Sequence, residues 1–316
     1  MSVCTITDLA GLASTLYQVQ VPSGHKLRIE GKLLITSTGA LQLPSGTTAE
    51  RPSSPANGYL RYNTTESSVE VYANGAWVIL AGSIIGTESD NPASGPADII
   101  AADPNAVDGV YYFQHGSGGV YQAYVDMQAG GYMLVGKIPA SPADTSNPWS
   151  YNGARWNQQS TTNESDCQNT NSGDALNRGY YQYTATVGFK LAMNTVNNYF
   201  TANRSGVTAR QAFTTNLNTS YSRDQFLDWI NEAHTEWDNQ ANCNRNGWNR
   251  TDSSNTAMRF GITMNNENEC NSNDSAIGFG CYTNNQSGSG DRNCAAGGFR
   301  WSSTVRYPKN GWIFVK

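Results

Sequence analysis

The chain has 316 residues of which 14% are charged, 20 Lys or Arg against 25 Asp or Glu, well below the ~25% usual in soluble domains. Its polarity comes instead from Asn, Ser, Thr and 31 glycines, beside 38% apolar and 11% aromatic residues, which is enough to build cores and unlike a disordered, charge-rich chain. So dilute and balanced a charge excludes nucleic acid as a partner, because phosphate neutralisation needs clustered Lys and Arg.

Met1 to Leu16 has no basic segment and carries Asp8 early, unlike a signal peptide. The longest apolar run, Ala76 to Ile85, contains Gly82 and Ser83 and falls short of the ~20 residues that cross a bilayer. A soluble chain or a component of a particle is expected, with no membrane insertion. Charge divides unevenly: residues 1–104 hold 5 basic and 9 acidic side chains (net −4), leaving 15 and 16 (net −1) for 105–316.

In chain order, His25 to Leu43 alternates apolar residues around Gly31 and Gly39, predicting short strands joined by tight turns. Gly58–Tyr62 and Val69–Tyr72 alternate across Asn63–Ser67 as the arms of a hairpin. Asn74-Gly75 marks a second turn before Trp77-Val78-Ile79-Leu80. A core built from such strands is thin, so neighbouring copies are expected to supply the missing apolar contacts.

Residues 46–80 read GTTAERPSSPANGYLRYNTTESSVEVYANGAWVIL. Arg51-Pro52, Pro55, Gly58, Arg61-Tyr62-Asn63-Thr64, Glu70, Tyr72, Asn74-Gly75 and Trp77 resemble the repeat of bacteriophage tail fibres and related virion proteins. In that repeat a segment of the form TTAxRPxxPxxGxxRYNT leads into a strand ending in E.Y.NGxW. In this pattern the prolines stiffen an extended entry, the glycines turn, and Tyr and Trp are expected to supply the buried surface. The resemblance implies a virion location and a mainly β stem module over 1–85, which is expected to be homotrimeric and joined to other virion proteins through its N-terminal region.

Gly86 to Asp103, rich in Ser, Asp, Pro and Gly, has linker chemistry, so a linker is expected over 86–104. Val110–Phe113, Val120–Asp126 and Tyr132–Lys137, divided by Gly-rich turns, predict an antiparallel meander. Here Asp108-Gly109, Tyr111, Tyr124, Asp126-Met127, Gly130-Gly131 and Leu134-Val135 resemble the entry of fibrinogen-C-terminal-like domains, the class of ficolins and intelectins. Val125 stands where that family has its first disulfide cysteine and Tyr132 where it usually has Trp. The resemblance implies an α+β, fibrinogen-like domain over 105–316 that recognises a host cell-surface glycan. Thr208 to Thr214 predicts a short helix. Ser222 with Gln225 forms a capping box that heads a second helix, with Phe226, Ile230, Ala233 and Trp237 as its core stripe. Gly311 to Val315 predicts the final strand.

Cys4 stands alone, whereas Cys167, Cys243, Cys270, Cys281 and Cys294 lie in the second half. Their spacings fit no zinc template, and one or two local disulfides are expected. Between Asn265 and Arg292, Glu267, Glu269, Asp274 and Asp291 stand among Asn carbonyls. These are hard oxygen ligands of the kind calcium collects from irregular loops; the alternative is a loop of solvated Asn and Ser turns. The fibrinogen-like resemblance also implies calcium in this part of the chain beside a cysteine, a place that Cys281 and Cys294 would take, although no DxDND string is present. Sugar recognition needs aromatic faces and groups that bond hydroxyls. Trp248, Tyr282, Trp301, Asn284 and Arg300 are the glycan candidates, among Asn244, Asn249, Phe299 and Tyr307.

No catalytic residues are expected. His25, His115 and His234 are far apart, and Glu232 and Glu236 share one helix face, whereas glycoside cleavage needs carboxyls on both sides of the bond. GxSxG, HExxH and phosphate-binding glycine loops are absent. The sequence points to a non-enzymatic phage fibre or adhesin. The alternatives are a structural head or neck fibre or a capsid decoration protein without specific receptor binding, and a capsule depolymerase.

Overall fold

The computed structural model describes residues 40–80, 84–143, 146–215, 221–233, 240–251, 256–271, 273, 275–283, 292–299 and 306–316. The fold is predominantly β, and its contacts divide it into two compact units, Met1–Leu80 and Ala81–Lys316. Of the strands expected over His25 to Leu43, only residues 40–43 are described, and they belong to no strand.

In the first unit, β1 (Ser45–Gly46), β2 (Leu60–Asn63), β3 (Ser68–Ala73) and β4 (Ala76–Ile79) form one sheet in sequence order. β1 is parallel to β2, and the other pairs are antiparallel. Asn74 and Gly75, with φ of 52° and 83°, make the tight β3–β4 turn as expected, since two left-handed residues match the twist of the flanking strands. The strand alternation is present, but its buried side is the polar one. Arg61 and Asn63 are buried, while Leu60 and Tyr62 are 40% and 38% exposed.

The second unit begins at Ala81 and takes in the whole stretch expected to be a linker, and that expectation is corrected. Pro96 opens α1 (Pro96–Ala102), where its missing N–H costs nothing, and Asp98 accepts the Ser94 amide at 2.9 Å. Ala93 bridges to Phe113, and Ala93 and Ile99 are fully buried. Turn-forming residues here anchor the segment to the core instead of releasing it.

The expected meander follows as β5 (Gly109–Phe113), β6 (Tyr121–Asp126) and β7 (Tyr132–Ile138). Next come β8 (Pro142–Ala143), β9 (Ala175–Leu176), α2 (Gly179–Gln182), β10 (Gly188–Met193) and β11 (Tyr199–Asn203). α3 (Ala209–Thr214) and α4 (Arg223–Ala233) match the two predicted helices, each headed by its capping pair, Thr208 with Gln211 and Ser222 with Gln225. Phe226 and Ile230 are fully buried, as the helical stripe requires, and Trp237 lies outside the described residues. The last elements are β12 (Asn242–Thr251), β13 (Thr256–Asn265), β14 (Ser275–Thr283), β15 (Arg292–Phe299), β16 (Arg306–Pro308) and β17 (Gly311–Val315).

These strands make two sheets. One runs β11-β10-β17-β7-β6-β5, with β9 on β7, so that β17 lies between β10 and β7; the other runs β12-β13-β14-β15-β16, with β8 on β15. The aromatic core draws on both sheets and on the helices, with Phe113, Trp156, Tyr180, Phe213, Phe260 and Phe279 fully buried.

Candidate functional site

In the first unit the residues of the fibre-like motif converge on one buried carboxylate. Arg51 donates to Glu70 from Nε at 3.2 Å to both oxygens and from Nη2 at 2.5 Å. Asn63 Nδ2 donates to Glu70 Oε2 at 3.0 Å, and Arg61 Nε lies 3.7 Å from Oε1. Arg61 also donates to the Thr47 carbonyl at 3.2 Å, so the two arginines tie the 44–52 arm across β2 and β3. The hydrogen bonds from Arg51 hold the Glu70 carboxyl below the usual carboxylate range. Arg51 stands over the Trp77 ring, which meets Tyr72 edge-on at 5.4 Å. The expectation that Tyr and Trp supply the buried surface is corrected: the buried members of the motif are Glu70, Asn63 and Arg61.

In the second unit the glycan candidates separate. Trp248 is fully buried in β12 among Phe189, Phe213 and Phe260, at 5.3, 5.0 and 4.6 Å between rings, and its Nε1 donates to the Tyr221 hydroxyl. It has no open face for a sugar, which overturns that expectation; alternate positions of a paired strand point inward. Asn249 is also buried, donating to the carbonyls of Ala212 and Thr215. Tyr282, near the end of β14, is half-buried and stacks on Tyr151 with 6.3 Å between ring centres. Arg259 lies 4.6 Å from the Tyr151 ring and donates to the Tyr151 carbonyl at 2.8 Å; its burial lowers its pKa from the ordinary value. Gly280 makes room for it, since a Cβ there would fall 2.6 Å from Arg259 Cγ and 3.0 Å from Trp156. Trp301, Asn284 and Arg300 lie outside the described residues, as do the side chains of Asn244 and Phe299.

The expected calcium ligands do not assemble among the described residues. Glu267 is exposed, and Glu269 accepts from Asn265 Nδ2 at 3.0 Å and from the Asn271 amide at 2.7 Å. No group of three His, Cys, Asp or Glu among the described residues could hold a metal ion. Asp274 and Asp291 lie outside them. Part of the expected loop is β14, whose polar neighbours bond one another: Thr256 Oγ1 donates to the Asn273 carbonyl, Asn273 Nδ2 to Thr263 Oγ1, and Ser275 Oγ to Gln240 Oε1. Cys243 and Cys270 form a disulfide that ties the start of β12 to the turn after β13. Cys281 and Cys294 face each other in register on β14 and β15 as buried free thiols. Burial pushes both thiols up, Cys294 to about 12.

His115 accepts or donates at 2.6 Å to the Tyr121 hydroxyl. His25, His234 and the side chains of Glu232 and Glu236 lie outside the described residues. No family model matches the chain, and no curated protein matches it.

Proposed function

We propose that this chain is a non-enzymatic bacteriophage virion fibre protein. Residues up to 80 serve as a self-associating stem that joins other virion proteins, and the following unit is a fibrinogen-like domain that recognises a host cell-surface glycan. The observation that carries this reading is the Glu70 lock. The spaced Arg51, Arg61, Asn63 and Glu70, which make the sequence resemble a phage fibre repeat, meet at one point, so the pattern corresponds to a structural unit and not to a chance string.

Self-association has a separate support. No residue of 40–80 belongs to a hydrophobic core among the described residues. The Tyr151–Tyr282 pair over Arg259 supplies an aromatic, partly open surface of the kind sugars use. Several weak sites on one fibre would gain affinity by avidity.

The test is adsorption. The purified chain should bind host cells, block adsorption of a phage that displays it and label specific glycans on an array. Failure to bind cells together with failure to compete would favour the structural head or neck fibre.

A further inference from the structure

The sheet that carries the meander holds a polar cup that none of the sequence candidates touches. It has a volume of about 290 Å³ and is lined by Asp108, Tyr124, Asp126, Gln128, Lys190 and Tyr199 among others. A volume of this size holds several waters and admits a ligand as large as a single sugar ring.

Lys190, the third residue of β10, is only 1% exposed and donates to Asp126 Oδ2. Its Nζ otherwise faces aromatic rings, Tyr199 at 4.4 Å and Phe314 at 4.9 Å. An ammonium carries three N–H donors. Ring faces attract the charge, but they do not replace oxygen acceptors, and a buried charge is costly unless its donors are met.

The carboxylates are held in place on the other side. Asp126 Oδ1 accepts the Ala129 amide at 2.8 Å, and Asp108 Oδ1 accepts the Gln128 amide at 2.9 Å. Tyr124 lines the cup beside Asp108. Tyr199, 42% exposed, stands at the rim.

We propose that this cup is a binding site for a neutral pyranose: a sugar hydroxyl accepts from Lys190 and donates to Asp108 or Asp126, while the C–H face of the ring lies on Tyr199. A hydroxyl both donates and accepts, so neighbouring ammonium and carboxylate groups suit a vicinal diol better than either charge alone. Two carboxylates against one ammonium give a formal −1, which disfavours uronic and sialic acids. The site rests on the glycan-binding function proposed above and gives that function a place away from the 244–301 region.

The experiment uses the full chain, with saturation-transfer NMR and competition of array-bound glycans by methyl glucoside, methyl galactoside, methyl mannoside and, as the acidic control, methyl glucuronide. Tyr199→Ala and Asp108→Asn, both at partly exposed positions, should keep the wild-type melting temperature and weaken neutral-sugar binding at least tenfold. Lys190→Met should do the same where it folds. The glucuronide should bind no better than the neutral glycosides. If the variants bind a neutral glycoside or an array glycan as the wild type does, the cup is not the site, and the glycan function stands on other residues. If the wild type binds neither the glycosides nor any array glycan, both the cup and the glycan function fall.

Discussion

Glu70 is a carboxylate with no exposed side-chain surface in a thin β-sheet, and its charge is tolerable because Arg51, Arg61 and Asn63 converge on it. Removing one partner of such a group leaves the others uncompensated. Glu70→Gln keeps the shape and unpairs the arginines. The loss should be roughly 2 kcal/mol, less than the ~3–5 kcal/mol of a deep interior because the module is thin. Faster hydrogen exchange of the β2 and β3 amides would register it, and unchanged exchange would remove the lock from the account of the first unit. His115 makes the second residue-level case. It sits against Phe113, Tyr121 and Tyr183, and burial pushes its pKa down to about 4, partly offset by a hydrogen bond with the Ser94 backbone. The unfolded chain takes up a proton near pH 6.5 that the folded chain resists until about 4. Stability is therefore complete above 6.5 and falls as pH drops through that window, by about 3 kcal/mol at ~1.36 kcal/mol per pH unit. Melting temperature measured from pH 7 to 4 should decline, and His115→Phe should flatten the decline. An equal slope in the variant would place the acid sensitivity elsewhere.

At the scale of elements, the β12–β16 sheet depends on a row of glycines. Gly247 pairs with Gly261, Gly261 with Gly278, Gly278 with Gly297, and Gly297 with Pro308, with φ of 101°, 154°, 144° and 116° for the four glycines. A Cβ on Gly278 would lie 2.1 Å from the Phe260 carbonyl oxygen, and the backbone cannot yield without breaking the ladder. Gly278→Ala should cost several kcal/mol and yield little folded protein. Gly206→Ala, whose φ is 79° with open space around it, should cost only the ~1–2 kcal/mol of left-handed strain. Equal melting temperatures for the two variants would refute the role of the row. The same row explains what the sequence left hidden. The meander and both helices were legible because their apolar residues keep periods of 2 and 3.6, and Gly311–Val315 because it is a short apolar run. Residues 242–299 are rich in Asn, Gly and Thr, which are poor or neutral signs of strand in isolation. They form four strands of 8–10 residues because their glycines allow close approach and their buried amides and hydroxyls bond one another. Hence Trp248, a glycan candidate, and Cys281 and Cys294, expected beside a calcium loop, lie inside a sheet. The linker expectation over 86–104 failed for a related reason: Pro, Gly and Ser signal turns, and turns can be pinned to a core as well as released from it.

At the scale of the whole chain, the two units bury opposite chemistries. The second packs Trp, Tyr and Phe into a large apolar interior. The described part of the first places charge inside and leaves Leu60, Tyr62 and Val78 on the open side, Val78 at 48% exposure. Strand alternation in Leu60-Arg61-Tyr62-Asn63 shows that the two faces differ without showing which is covered. The usual preference for burying the apolar face is reversed because the arm that carries Arg51 closes over the polar one. Register puts Leu60 opposite Val71 and Val71 opposite Val78, and Tyr62 opposite Val69, so these side chains make one continuous face across three strands. Each Val or Leu removed from water contributes ~1.5–3 kcal/mol. Packing that face against other copies of the chain would supply the apolar core that the unit lacks. Sedimentation equilibrium of the full chain should then give a mass of three copies, and Val78→Asp with Leu60→Glu should reduce it to one copy while the Cys243–Cys270 unit keeps its melting temperature. A wild-type chain that sediments as a single copy at micromolar concentration would exclude the stem as the source of assembly.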